Sequence, residues 1–225
     1  MLNIDFEWWS DNAGYDYVPA EPGWAGRSPL DKVLSFGLLG GEKRDRPDRI
    51  IRRGGKLIPY RPFERASGLY RIFANIGTTI DGLLQFISQF GSLTQGGLDP
   101  TIGDEVPVLL SHASTMADLL AYSSEGRISY LSQFEKGLSW TKIDVGLVVN
   151  RFTGKPQITM TPPWLLHGLW LEFGQALSGD ISIKKCAHCG GWFEVGPGTG
   201  RREDAKFCCD DHRVIFNSRK RSTGR

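Results

Sequence analysis

Apolar residues recur at every third or fourth position between Ala66 and Gly91, which is the period of an amphipathic helix. The stripe comprises Leu69, Ile72, Phe73, Ile76, Ile80, Leu83, Leu84, Ile87 and Phe90. Gly77 and Gly82 interrupt it, and glycine weakens a helix through its backbone freedom. The pattern therefore predicts either one long helix or two shorter ones.

Two later segments repeat the helical period, and a third changes it. Helices are predicted from Val106 to Ser123 and from Trp164 to Leu177. Between Lys142 and Thr161 the apolar period is two, on either side of a turn at Thr153-Gly154, which predicts a β-hairpin. A first strand is predicted from Asn3 to Trp9. Helices and a hairpin together predict an α+β fold.

Length and composition set the domain organisation. The chain has 225 residues, of which 40% are hydrophobic and 11% aromatic, enough for one sizeable core and a small appended module. We predict a mainly helical domain over 1–180, with an N-terminal aromatic and basic segment and the hairpin, followed by a zinc-finger module over 181–225. No run of about 18 apolar residues occurs, and acids and tryptophans stand where a secretory signal is basic and then apolar. We expect a cytoplasmic, bacterial protein.

All four cysteines lie close together near the carboxyl end. Their order is C-x2-C, a gap of eighteen residues, then C-x3-H, and such paired thiolate and imidazole ligands suit a tetrahedral zinc ion. The predicted ligands are Cys186, Cys189, Cys208 and His212. Four protein ligands close the coordination shell, so the predicted Zn²⁺ is structural rather than catalytic.

Several alternatives stay open at the level of sequence. Cys209 could replace Cys208, because Cys209-x2-His212 is also a workable spacing. His188 lies inside the first cysteine pair and is a rival ligand. Four reduced cysteines without a metal are a further possibility.

The second ligand pair is expected at the start of a helix. Asp210 and Asp211 suit the first turn of a helix, and the basic run Arg219 to Arg221 suits its last turn. Cys208 and His212 are four apart, so both can face one ion. A knuckle, a hairpin and a helix that supplies the last ligands form a treble-clef-like zinc finger.

These motifs resemble a known family. The pattern C-x2-C-x3-F, a Gly/Arg-rich loop, then A-K-F-C-x3-H-R and a basic helix is similar to the C-terminal zinc finger of the bacterial CGNR group. The likeness covers Ile183 to Arg221, although the Cys-Gly-Asn-Arg tetrad itself is absent. The resemblance implies a largely helical N-terminal domain before the finger and a role in DNA binding and transcription regulation.

The charge distribution supports an anionic partner. Residues 181–225 hold ten Lys and Arg against five Asp and Glu, whereas residues 1–180 hold seventeen against twenty. The basic residues expected to contact phosphates are Arg201, Arg202, Lys206, Arg213, Arg219, Lys220 and Arg221. A second basic segment, from Glu42 to Arg61, is interpreted either as a phosphate-binding surface or as a solvated loop paired with Asp45 and Asp48.

Three functional hypotheses follow. The first is a zinc-finger protein that binds nucleic acid, with duplex DNA as the expected form and transcription regulation as the expected role. The second is a protein-interaction subunit, for instance of a toxin or defence system, with a purely structural zinc tail. The third is a treble-clef nuclease using His212 and Asn217. A non-enzymatic role is expected, since the sequence contains no Walker loop, G-x-S-x-G or H-E-x-x-H motif.

Overall fold

The structure, a computed structural model, describes residues 3–4, 6–20, 47–66, 68–124, 143–149, 154–178 and 182–223. These residues form short sheets and helices, so the predicted α+β class is confirmed. The helices are α1 (Pro62–Arg65), α2 (Leu69–Ala74), α3 (Ile80–Phe90), α4 (Val106–Ser124), α5 (Leu165–Ser178) and α6 (Asp210–Thr223). None of the helices in these ranges is long and apolar enough to cross a membrane.

Ten short strands accompany the helices within the described ranges. They are β1 (Asn3–Ile4), β2 (Trp8–Asp11), β3 (Tyr15–Val18), β4 (Arg49–Arg52), β5 (Leu57–Tyr60), β6 (Asp104–Glu105), β7 (Asp144–Val149), β8 (Pro156–Thr161), β9 (Ser182–Lys185) and β10 (Trp192–Val195). The chain divides into two compact units. The first comprises 1–6, 62–77 and 112–225, and the second comprises 7–61 and 78–111.

The first unit is built around the apolar face of α5. Leu165, Leu169, Trp170 and Phe173 of this helix are fully buried, as the sequence pattern predicts. The ring of Tyr70 on α2 packs 5.4 Å from that of Phe173, which joins the two helices. The unit also contains the sheet β1-β8-β7, in which β1 is parallel and β7 antiparallel to β8, and the hairpin β9–β10.

The second unit packs α3 near two small sheets, β2–β5 and β3–β4–β6, all of whose pairings are antiparallel. Leu83, Phe86, Ile87 and Phe90 of α3 are buried. The carboxylate of the buried Asp104 accepts hydrogen bonds from the backbone N–H groups of Leu93 and Thr94. Burial raises the pKa of Asp104 to about 6, although these hydrogen bonds oppose the shift.

The helical stripe from residue 66 to residue 91 is split, as the alternative with two helices predicts. The break occurs at Gly77, whose φ of 71° lies in the left-handed region that favours glycine. The next helix begins at an N-cap, where the side chain of Thr79 accepts a hydrogen bond of 3.2 Å from the N–H of Gly82. Gly82 itself lies within α3 and does not break it.

The prediction of a single strand from Asn3 to Trp9 is wrong. Residues 3–4 pair with β8, and residues 8–11 pair with β5 in a different sheet. Phe6 lies between the two strands in the sequence and is buried against Phe63, with ring centroids 6.0 Å apart. Alternation of apolar residues continues through such a change of partner, so the sequence pattern did not reveal it.

Candidate metal centre and adjacent basic surface

The first predicted ligand pair lies in the turn between two strands. Strands β9 and β10 pair antiparallel, and the Cys186 N–H donates to the carbonyl of Gly191 at 2.9 Å. Within the turn, Gly190 has a φ of 71°, and its N–H donates to the carbonyl of Cys186 at 2.9 Å. This tight turn places Cys186 and Cys189 on one side of the hairpin.

The second pair lies at the start of α6. Cys208 precedes the helix, and His212 lies in its first turn, which Asp210 and Asp211 also occupy. Ala205, Phe207 and Cys208 pack against a buried cluster formed by Cys186, Phe193 and Val195. The N–H of Ala187, in the hairpin turn, donates a hydrogen bond of 2.9 Å to the carbonyl of Lys206, in the segment before α6, and so joins the two ligand pairs. This apolar cluster is small, so it contributes little stability on its own.

The structure brings the four predicted ligands together. Their donor atoms all lie within 4.8 Å of one another. His212 Nδ1 is 2.9 Å from the sulfur of Cys208 and 3.7 Å from that of Cys186, and the sulfurs of Cys189 and Cys208 are 3.9 Å apart. A tetrahedral zinc ion with bonds of about 2.3 Å to sulfur and about 2.0 Å to nitrogen separates its donors by roughly 3.5 to 3.8 Å. The group can therefore hold such an ion after small shifts.

The electrostatics of the Cys186 and Cys208 thiols also suit a cation. Burial raises the pKa of Cys186, but N–H groups of Cys189, Cys208 and His188 outweigh it and lower this pKa to about 6. Burial and the neighbouring sulfurs of Cys186 and Cys189 raise the pKa of Cys208 to about 12. Adjacent thiolates repel one another, and a bound divalent cation relieves this repulsion.

The two rival ligands lie outside this group. The sulfur of Cys209 is exposed and lies 4.0 Å from that of Cys208. The ring of His188 packs beside that of His212, with centroids 4.8 Å apart. The geometry therefore favours Cys208 over Cys209 as the third ligand.

The hairpin is held to α2 by polar contacts. The hydroxyl of Tyr70 donates to the Glu194 carboxylate at 2.7 Å, and the Nε of Arg71 lies 3.3 Å from the same carboxylate. The N–H of Trp192 donates to the side-chain oxygen of Asn75 at 3.2 Å. These contacts fix β10, and with it the first cysteine pair, to the helical part of the unit.

A partly buried glutamate, which the sequence analysis missed, holds the start of α2. The Glu172 carboxylate on α5 accepts hydrogen bonds from the N–H groups of Gly68, at 2.6 Å, and Tyr70, at 3.1 Å. Burial raises the pKa of Glu172 to about 7, and these two hydrogen bonds only partly offset it. The sequence does contain one indication that Glu172 has a specific role, because it is the only charged residue within the bounds of the otherwise uncharged helix α5.

Four of the seven predicted phosphate-binding residues surround one concavity. This concavity of about 910 Å³ is lined by Arg201, Arg202, Lys206 and Arg213, together with Asp204, Phe207, Cys209 and Asp210 among others. Arg219 is exposed farther along α6, and Lys220 and Arg221 lie within the bounds of the same helix. The basic surface therefore borders the candidate metal centre directly.

The arginines described in the second basic segment, residues 42–61, differ from those around the concavity because they bond to groups within their own unit. Arg49 is buried and donates to the carbonyl of Ile102 at 2.9 Å. Arg52 donates to Asp11 at 2.9 Å, and Arg53 donates to Asp16 at 2.6 Å. All three arginines stabilise their own unit, and the acids that pair with Arg52 and Arg53 are ones that neither sequence interpretation named. Lys43, Arg44 and Arg46 lie outside the described residues.

No protein-family model matches the chain, and no curated protein or solved structure matches it. The resemblance to the CGNR group thus has no support from a family match. The proposed function accordingly depends on the residues and their geometry. The domain boundary at residue 180 also stays a prediction.

Proposed function

We propose that this chain is a zinc-finger protein that binds nucleic acid, with DNA as its target and transcription regulation as its role. The observation that carries the proposal is a Cys3His group at the start of a helix, directly beside a concavity lined by four basic side chains. Hairpin β9–β10, the turn between its strands and α6 supply the parts of a treble clef, which is the fold we propose for residues 181–225.

Zinc is the metal that the ligand chemistry favours. Three thiolates and one imidazole are soft and borderline ligands, which select zinc over calcium or magnesium. Four protein ligands leave no open position for water, so the ion would stabilise the fold and would not activate a nucleophile. Because Nδ1 of His212 faces two thiol sulfurs, this histidine is poorly placed to act as the general base of a nuclease.

The basic concavity supports an anionic partner. Arg202 and Lys206 are exposed, and their side chains form no ion pair with other described residues. Arginine and lysine contact phosphates through charge, and each contact releases counterions from the nucleic acid. Binding should therefore weaken steeply as the salt concentration rises.

Duplex binding at several salt concentrations tests the proposal. We expect the double variant Arg202→Ala/Lys206→Ala to bind duplex DNA more weakly and to reduce the slope of log K against log salt by about 1.8, since each lost phosphate contact removes about 0.9. The control Arg65→Ala/Lys155→Ala removes two exposed basic residues from other parts of the chain. Its slope should equal that of the wild type, and no binding by the zinc-loaded wild type at low salt would refute duplex DNA as the target.

One observation favours the second hypothesis, a protein-interaction role. On the hairpin β7–β8, Val145, Val149 and Ile158 lie on one face and are 67%, 64% and 50% exposed. Thr159 lies on the opposite face and is only 3% exposed. A contiguous group of exposed apolar side chains is typical of a surface that contacts another protein.

Charge substitution on this face would test the interaction role. We expect Val149→Lys and Ile158→Lys to leave the thermal midpoint within about 2 °C of the wild type, because surface substitutions change stability little. If a partner docks there, co-purification of that partner from the source organism should be lost in both variants. Retained co-purification, with intact DNA binding, would exclude this face as the interaction site.

A further inference from the structure

The concavity beside α6 differs from a simple phosphate-binding surface because it carries both signs of charge and an aromatic side chain. Its basic residues are accompanied by the carboxylates of Asp204 and Asp210, and both acids are exposed. Phe207 is half-buried in the lining, and its ring packs against that of Phe216 with centroids 5.2 Å apart.

Two of the four basic side chains already have partners. Arg213 forms an ion pair of 3.1 Å with Asp210, and the guanidinium of Arg201 donates to the carbonyl of Cys208. Arg202 and Lys206 are therefore the cations best placed to meet phosphates. The remaining surface offers an aromatic ring and hydrogen-bond acceptors.

This composition suits a nucleotide that is not base-paired. A duplex presents phosphates along its outer surface, and carboxylates within that footprint would weaken its binding relative to that of a single strand. An unpaired nucleotide instead exposes a ring face, which stacks on aromatic side chains, and Watson–Crick donors, which carboxylates can accept. A volume of about 910 Å³ lies within the usual range for small-ligand sites and can admit one nucleotide.

We propose that the concavity binds an unpaired nucleotide of a single-stranded nucleic acid, with Phe207 stacking on its base and Arg202 and Lys206 contacting the flanking phosphates. The inference rests on the proposed nucleic-acid function and specifies the form of the ligand. Asp204 would accept hydrogen bonds from the amino or imino groups of the base.

Fluorescence anisotropy with the zinc-loaded full chain tests the inference. The probes are a labelled 20-nucleotide DNA strand, an RNA strand of the same sequence, and the annealed DNA duplex. We expect a single strand to bind at least tenfold more tightly than the duplex. Phe207→Leu should weaken single-strand binding about tenfold, as the loss of one stacked base implies, and should leave duplex binding within about twofold. The DNA and RNA probes identify the preferred sugar.

Phe216→Leu is the matched control, because Phe216 touches Phe207 but is not part of the lining of the concavity. It should bind the single strand as the wild type does. An independent measurement on the wild type is competition for the labelled strand, in which cytidine monophosphate should compete better than ribose 5-phosphate.

The outcomes separate this inference from the proposed function. Equal or tighter binding of the duplex, an unchanged affinity in Phe207→Leu, or equal competition by the two small molecules would overturn the unpaired nucleotide while leaving nucleic-acid binding in place. Absence of binding to all three probes would overturn both.

Discussion

Replacing Cys208 by serine is expected to release the metal and to unfold the segment from Ser182 to Thr223. In the structure, the Cys208 sulfur lies 2.9 Å from His212 Nδ1 and 3.9 Å from the Cys189 sulfur, so it is shared by both halves of the centre. Zinc contributes on the order of 10 kcal/mol to the folding of small modules of this kind. The small cluster around Phe193 and Val195 cannot replace that contribution.

Native mass spectrometry and limited proteolysis would measure this effect. The wild type should carry one zinc ion per chain, whereas Cys208→Ser should carry none and should be cleaved within residues 182–223. Adding a strong chelator to the wild type should produce the same cleavage, which provides a second test should the variant express poorly.

The adjacent cysteine provides an unusually close control. Cys209 is exposed and lies outside the four-ligand group, so Cys209→Ser should retain both the metal and the protease resistance. The reverse result, with metal lost only in Cys209→Ser, would transfer the ligand role to Cys209. Retention of metal in every single-cysteine variant would contradict the proposed centre.

Local patterns predicted the elements of the chain well. The helix over 106–124, the hairpin over 144–161 and the helix over 165–178 follow from apolar periodicity, which depends only on neighbouring residues. The four-residue group at the carboxyl end was also predictable, because each short spacing fixes two ligands within one turn of the backbone.

Non-local partners were not predictable in the same way. The acids that pair with Arg52 and Arg53 lie about forty residues upstream, and the sequence contains no signal that connects them. The contacts of Glu172 were unpredictable for the same reason, because its partners are backbone N–H groups at residues 68 and 70, which lie in a different helical segment. A single sequence reveals periodicity and spacing, but long-range polar contacts depend on how the elements pack.

Glu172 gives the second large expected effect, which is a dependence of stability on pH. Its pKa is about 7 in the folded chain, against an ordinary value of 4.5. As the pH falls through 7 the folded state takes up a proton that the unfolded state does not bind until about pH 4.5. The free energy of unfolding should therefore rise as the pH falls across this interval, by on the order of 3 kcal/mol for this group alone.

Urea denaturation of Glu172→Gln and the wild type between pH 5 and pH 8.5 isolates this contribution. Other groups also titrate in this pH range. The raised pKa of Asp104 makes stability fall as the pH rises, as Glu172 does, whereas the buried His167, with its pKa lowered to about 4, makes stability rise with pH. These groups are present in both proteins, so they cancel in the difference. We expect the stability of the wild type relative to Glu172→Gln to fall as the pH rises, while Glu7→Gln, at an exposed position, should follow the wild type throughout.

The alanine variant separates hydrogen bonding from charge. Glu172→Ala leaves the N–H groups of the buried residues Gly68 and Tyr70 without their acceptor, at a cost of about 1 to 3 kcal/mol each. Because α2 also carries Tyr70 and Arg71, which hold Glu194 of β10, this variant should loosen the attachment of the metal-binding hairpin as well. Hydrogen exchange at β10 should then be faster in Glu172→Ala than in Glu172→Gln at pH 6, and equal rates would show that the hairpin is held independently of α2.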